Sequence, residues 1–168
     1  MSNGGAFIST PHHAGLVVAD LEAAMDFYSQ NFGHTFFQFQ VNQDNSTLSG
    51  SSSTFLLRLG IGQLGLGLIE LIQPVTGSTI YSRYLAQRGP GLHHLAYSVT
   101  DLVAARKRLT SAGCPCLQDG TIRGLVDFSY YAAPEMAVIV EPLQFSCDLP
   151  AFLVRNAQAY APNDQVIS

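Results

Sequence analysis

Charge is what this chain has least of. Asp, Glu, Lys and Arg make up 12% of its 168 residues, about half the usual share. A surface so poor in charge implies cover by a second subunit or the lining of an apolar cavity, and the 47% of hydrophobic residues agrees. Lys and Arg total only 8 and the net charge is -4, which excludes the basic surface that nucleic acid or an anionic membrane requires. No run comes near the roughly 20 apolar residues of a membrane span. The opening Met1-Ser2-Asn3-Gly4-Gly5-Ala6 has neither the basic start nor the apolar stretch of a secretory signal, so a cytoplasmic location is expected. Cysteine is scarce too: Cys114, Cys116 and Cys147 are odd in number and lack a second Cys-His pair to complete a zinc site. They read as small, buried or half-buried residues without chemistry.

What is present is an internal repeat. His12-His13-Ala14-Gly15-Leu16-Val17-Val18-Ala19-Asp20-Leu21 aligns without gaps on His93-His94-Leu95-Ala96-Tyr97-Ser98-Val99-Thr100-Asp101-Leu102, and a repeat fixes architecture before any other signal. Each copy opens with a short strand-like run, 14–18 or 95–99. Asp20 or Asp101 then caps a helix, which stops at Gly33 in one copy and Gly113 in the other. Three strand-like runs follow each helix: 36–41, 54–59 and 64–73, then 115–118, 126–132 and 137–144. Both halves read β-α-β-β-β, an α+β class. The expected organisation is a first module over residues 1–75, a linker over 76–91 with a short helix at 80–87, a second module over 92–144 and a tail over 145–168. The polar stretch 42–53 reads as a mobile loop, either bordering the site opening or a plain surface loop. The tail is expected to pack on a partner subunit or to fray.

The chemistry lies in the repeated positions. Neighbours in a strand point to opposite faces, so each doublet sends one imidazole into a shared cavity. Glu70 in Leu68-Ile69-Glu70-Leu71-Ile72 and Glu141 in Val138-Ile139-Val140-Glu141-Pro142 are lone carboxylates in apolar strands, costly to bury unless paired or bound to metal. Taken singly, each reads as a strand-end cap or a solvated edge residue. Two imidazoles and two carboxylates at matching points of a repeat read instead as a site for Fe, Ni, Co, Zn or Mn.

With Val17-Val18-Ala19-Asp20-Leu21, Phe27-Tyr28, Ile69-Glu70-Leu71-Ile72-Gln73-Pro74 and Gly89-Pro90-Gly91-Leu92-His93-His94, the chain resembles the vicinal oxygen chelate superfamily, nearest to the glyoxalase and methylmalonyl-CoA epimerase type. The resemblance implies paired βαβββ modules forming a half-open barrel and one divalent metal ion held by His13, Glu70, His94 and Glu141. It implies Lewis-acid stabilisation of an enolate or oxyanion, with Glu141 as the proton-moving carboxylate and Glu70 as its runner-up. His12 and His93 are expected to face outward and support packing.

The chain also departs from its relatives. It has no glutamate between Glu22 and Glu70, where the epimerase type is expected to carry a second catalytic one. Its basic candidates for a CoA or glutathione partner are few. Phe36, Phe37, Phe39, Phe55, Phe128, Tyr130 and Tyr131 lie on expected strands, so those that reach the site suit a small hydrophobic or aromatic substrate, with Tyr97, Tyr131 and Arg123 as hydrogen-bonding candidates. The expectation is a metal-dependent isomerase, lyase or cyclase working as a homodimer. The alternatives are a metal-free protein that sequesters a small molecule and an Fe(II)-dependent oxygenase.

Overall fold

The two repeated aspartates act on the backbone as their position demands. Asp20 accepts from the amide of Ala23 at 3.1 Å and Asp101 from that of Ala104 at 2.9 Å, each satisfying an orphan donor of a first helical turn. They open α1 (Leu21–Phe32) and α3 (Leu102–Ser111). Gly33, at φ 70°, closes α1 in the left-handed conformation that a side chain disfavours. Replacing either aspartate, as Asp20→Ala or Asp101→Ala, should cost about 1 kcal/mol of unfolding free energy in urea titration.

A computed structural model of the chain describes residues 9–48 and 51–162. Its strands are β1 (Ser9–Val17), β2 (Phe36–Leu48), β3 (Ser51–Leu64), β4 (Gly67–Thr76), β5 (Gly91–Val99), β6 (Cys116–Ile122), β7 (Val126–Ala133), β8 (Val138–Phe145) and β9 (Gln158–Ala159). The remaining helices are α2 (Ile80–Arg88), capped by Thr79, and α4 (Leu149–Asn156), capped by Asp148. The strands form one curled sheet in the order β3-β4-β1-β5-β8-β7-β6-β2-β9, with β2 also paired to β3. Its centre is symmetric: β1 runs parallel to β4, β5 runs parallel to β8, and β1 and β5 meet antiparallel. The curl is a half-barrel.

Strand alternation sorts side chains to two sides of this sheet. Ile69 and Leu71 of β4 pack under α1 with Leu21, Met25 and Phe36. Ile72, one residue on, joins Val17, Leu59, Phe128 and Leu143 in the core inside the curl. On the other half, Val99 packs with Leu102 and Ala105 beneath α3.

Three expectations change. Of the stretch 42–53, the described residues 42–48 and 51–53 are strand, because β2 runs to Leu48 and β3 starts at Ser51, with Ser46 opposite Ser53 and Thr47 opposite Ser52; residues 49 and 50 lie outside the described residues. Polar composition reports solvation, whereas backbone hydrogen bonds from a hairpin partner need no apolar side chain. Thr47 and Leu48 also pair with Asp119 and Gln118 of β6, linking the two edges of the half-barrel. Within the tail, residues 145–162 are tied to their own chain. α4 sets Phe152 against Phe39, β9 pairs with β2, and the Tyr160 hydroxyl donates to Asp26 on α1 at 2.7 Å. Cys114 and Cys147 are half-buried as expected, but Cys116 is exposed.

Candidate metal centre

The four central strands each contribute one candidate donor: His13 from β1, Glu70 from β4, His94 from β5 and Glu141 from β8, of which His13, Glu70 and His94 form a group that could hold a metal ion. The register explains how they meet. Gly15 lies opposite His94 and beside Glu70, while Ala96 lies opposite His13 and beside Glu141. A small residue at each of these points leaves room for the imidazole across the β1–β5 seam. At Gly15 the fit is tight, since a Cβ there would stand 2.0 Å from the His94 ring. All four donors belong to one chain.

Their atoms converge. His13 Nε2 lies 3.1 Å from His94 Nε2, 3.3 Å from Glu70 Oε2 and 3.2 Å from Glu141 Oε2, and His94 Nε2 lies 3.7 and 3.2 Å from the same two oxygens. Donors about 2.1 Å from a shared ion stand about 3.0 Å apart at right angles and about 3.4 Å apart at tetrahedral angles. Four of the five spacings fall in that range, and the 3.7 Å between His94 Nε2 and Glu70 Oε2 lies just beyond it. Glu141 Oε2 is buried and accepts no aligned hydrogen bond although both rings are near, so its lone pairs are free for a cation. Donor types, spacing and this orphaned oxygen all fit a first-row divalent ion.

Without an ion the cluster has to share protons. Burial works against a charged His13, but the Glu70 and Glu141 carboxylates outweigh it and lift its pKa from 6.5 to about 10. Burial alone would raise Glu141, yet the two imidazoles hold it well below the ordinary carboxylate range. A raised histidine pKa contributes stability that is complete below the unfolded value of 6.5 and is lost as pH climbs through the folded one. With metal withheld by a chelator, the thermal midpoint should therefore fall between pH 6.5 and 10. A flat profile over that interval, read by circular dichroism, would show that His13 carries no extra proton.

The first histidine of each doublet was expected to face outward, and it does not. His12 Nδ1 lies 2.8 Å from His13 Nδ1, and His93 Nδ1 lies 3.0 Å from His94 Nδ1. His93 is only 3% exposed. The β1–β5 register shifts between Pro11 and His13 on one strand and skips His93 on the other, so each doublet sits on a β-bulge. A bulge sets two residues against one and breaks the alternation that would send neighbours to opposite faces. Burial and the adjacent imidazole depress both outer histidines, His12 to about 4 and His93 to about 3, so both are neutral near pH 7.

Beside the cluster lies a cavity of about 60 Å³. Its polar rim is His12, His13, Glu70, Glu141, Tyr81 and Tyr130, and its wall includes Phe39, Phe55, Phe128, Phe145 and Leu149. No Lys or Arg borders it among the described residues. The Tyr81 hydroxyl donates to that of Tyr130, and both phenols border the cavity with Glu141. Burial first, then the carboxylates, push both phenols well above 10, so they remain protonated. Neither Tyr was singled out as a hydrogen bonder from sequence. None of the three that were lines this cavity: Tyr131 packs with Ala133 and Val140 in another cluster, Tyr97 borders a second groove that His12 and His13 also line, and Arg123 is exposed in the β6–β7 turn. Phe36 packs under α1 and Phe37 is half-exposed, so neither lines the cavity. Alternation fixes which residues share a face, but only the register with β8 shows that Tyr130 and not Tyr131 faces inward.

Residues 12–131 match the Glyoxalase/Bleomycin resistance protein/Dioxygenase superfamily. The chain belongs to that superfamily. An ethylmalonyl-CoA/methylmalonyl-CoA epimerase of Cereibacter sphaeroides is 33% identical over 110 residues, spanning 65% of this superfamily member and 75% of the relative. The crystal structure of methylmalonyl-CoA epimerase from Mycobacterium tuberculosis superposes with a TM-score of 0.59 at 23% identity, covering 84% of this chain and 91% of that one. A hypothetical protein from Bacillus halodurans C-125 superposes with a TM-score of 0.65 at 16% identity, covering 83% and 96%. At these identities the two structures speak for the fold, and the fold is that of the superfamily.

Proposed function

We propose that this chain is a divalent-metal-dependent enzyme of isomerase or lyase type, acting on a small hydrophobic molecule that carries a carbonyl group. One observation carries the reading: two imidazoles and two carboxylates converge, and three of them, His13, Glu70 and Glu141, border a cavity whose wall is otherwise largely apolar. His13, Glu70, His94 and Glu141 would hold the ion. When bound, it supplies Lewis-acid polarisation of a substrate oxygen and so favours an enolate or oxyanion.

The chain's own residues do the rest. Glu141 is the proton-moving group: it is buried, it borders the cavity, and it lies 3.2 Å from both ligand imidazoles. Glu70, with a side chain 14% exposed, is the alternative base. The apolar wall excludes water and holds the substrate body. Epimerisation, the activity named for the relatives, moves a proton at a carbon next to a carbonyl, and the same chemistry suits this site. A CoA thioester suits it less, because among the described residues no Lys or Arg borders the cavity to meet phosphates or a malonyl carboxylate. The accompanying proposal is a cytoplasmic homodimer, in which a second copy covers exposed Leu64, Leu66 and Leu95. Sedimentation equilibrium tests the dimer.

The deciding experiment is elemental analysis of protein purified without chelator, wild type beside His94→Ala. About one equivalent of Fe, Ni, Co, Zn or Mn in the wild type, lost in the variant, supports the reading. Absence of metal from both would overturn it and leave sequestration of a ligand as the function. With metal present, turnover that stops when oxygen is removed would identify an oxygenase instead.

A further inference from the structure

The repeated doublets contain two histidines that the proposed chemistry leaves without a task. We propose that His12 and His93 are positioning residues that accept the Nδ1 protons of His13 and His94 and so keep both Nε2 lone pairs aimed at the metal. This inference rests on the metal-centre reading and adds what orients the ligands.

The argument begins with proton placement. A neutral imidazole offers a lone pair at one nitrogen only when its proton sits on the other, and the hydrogen bond made by that other nitrogen decides the tautomer. His13 and His94 turn Nε2 toward the Glu70 and Glu141 oxygens and turn Nδ1 toward the outer histidines. Contacts of 2.8 and 3.0 Å between ring nitrogens require one proton between each pair, whereas the 3.1 Å contact between the two Nε2 atoms is the gap the ion would span. A proton belonging to the outer ring would make the ligand ring an acceptor at Nδ1. It would then leave the ligand ring's own proton at Nε2, pointing into the cluster. A proton belonging to the ligand ring frees Nε2. The outer ring then accepts at Nδ1 and carries its own proton at Nε2. In His93 that atom is buried and has no hydrogen-bond partner, which is the cost of the arrangement.

Recurrence makes coincidence a poor account. The same atom pair is built twice, on β1 and on β5, and each time a bulge sacrifices regular ladder pairing to turn consecutive side chains the same way. A ligand histidine commonly gives this proton to a carboxylate or a carbonyl. Here a second imidazole takes that place.

The test separates positioning from packing by using two replacements with opposite strengths. Asn places a carbonyl oxygen close to where Nδ1 stood but fits poorly among aromatic rings. Phe fits beside the Tyr81 and Tyr84 rings, whose centroids lie 5.0 and 5.1 Å from that of His93, yet cannot accept a proton. Co(II) affinity is measured by competition with a chelating indicator, the visible Co(II) spectrum is recorded, and the thermal midpoint serves as the folding control. The expected result is that His93→Asn stays within about threefold of wild type while His93→Phe binds roughly 10- to 100-fold more weakly. His12→Asn and His12→Phe should keep the same order. Equal affinity of His93→Phe and wild type, or equal losses in Asn and Phe variants, would overturn the positioning role and leave the metal centre standing. A wild type that binds no Co(II) would overturn both.

Discussion

Gly15→Ala should abolish tight metal binding while leaving the fold in place. The added Cβ would stand 2.0 Å from His94 Cε1, 2.3 Å from Nε2 and 2.5 Å from Nδ1, where carbon contacts settle at about 3.5–4 Å. The ring must therefore move by more than an ångström. It has nowhere suitable to go, because His94 is fully buried and the rings of His13, His93 and Tyr130 have centroids 5.2, 5.2 and 5.1 Å from its own. Metal–ligand distances tolerate only about 0.2 Å, so His94 leaves the donor set. Binding of Co(II) or Zn(II) should weaken by at least about a hundredfold, beyond what loss of an outer hydrogen-bond partner costs. Ala96→Gly is the matched control at the symmetric position. It opens space beside His13 without pushing the ring, and its affinity should stay within a few-fold of wild type. Indistinguishable affinities for Gly15→Ala and wild type, with native circular dichroism in both, would mean that His94 is not a ligand.

Stripping the ion should be the largest change in stability available without mutation. A ligand that binds only the folded state stabilises it by about 4 kcal/mol when present at a thousand times its dissociation constant. For a chain of this size each kcal/mol moves the midpoint by about 2–4 °C, so chelation should lower it by roughly 8–16 °C. The structure gives this a specific origin, since without an ion Glu141 Oε2 is a buried carboxylate oxygen with no aligned donor. Adding back the divalent ion should restore the midpoint. His94→Ala should show little response to either treatment. A wild-type midpoint unmoved by chelator and by added Fe, Ni, Co, Zn or Mn would exclude a structural contribution from any of these ions.

The two outcomes reach different parts of the molecule. Gly15→Ala tests whether the β1–β5 seam aims a ligand, and chelation tests whether the cluster as a whole holds a cation. Failure of the first alone would shift the site toward His13, Glu70 and Glu141. Failure of both would leave the cavity and its phenols, Tyr81 and Tyr130, as the functional surface.

Much of this was legible in the order of residues. The gapless repeat placed Asp20 and Asp101 as caps, Glu70 and Glu141 stood out as lone carboxylates in apolar strands, and the shared spacing singled out four candidate donors from five histidines and a dozen acids. These features are local or periodic, and the pleat and the helical turn repeat with fixed rise, so spacing along the chain becomes direction in space. Tertiary structure alone decided the rest. Two bulges turned His12 and His93 inward, because a bulge depends on how two strands register and not on either strand's composition. The register of β7 against β8 brought Tyr130 rather than Tyr131 to the cavity, and the turn that carries Arg123 left it in solvent. The polar stretch 42–53 became strand within its described part because a hairpin partner and β6 were there to receive its backbone hydrogen bonds. Sequence thus determines which groups are available and which face each strand offers. The pairing of distant strands determines which of those groups touch, since contacts between residues far apart in the chain depend on closure of the whole sheet.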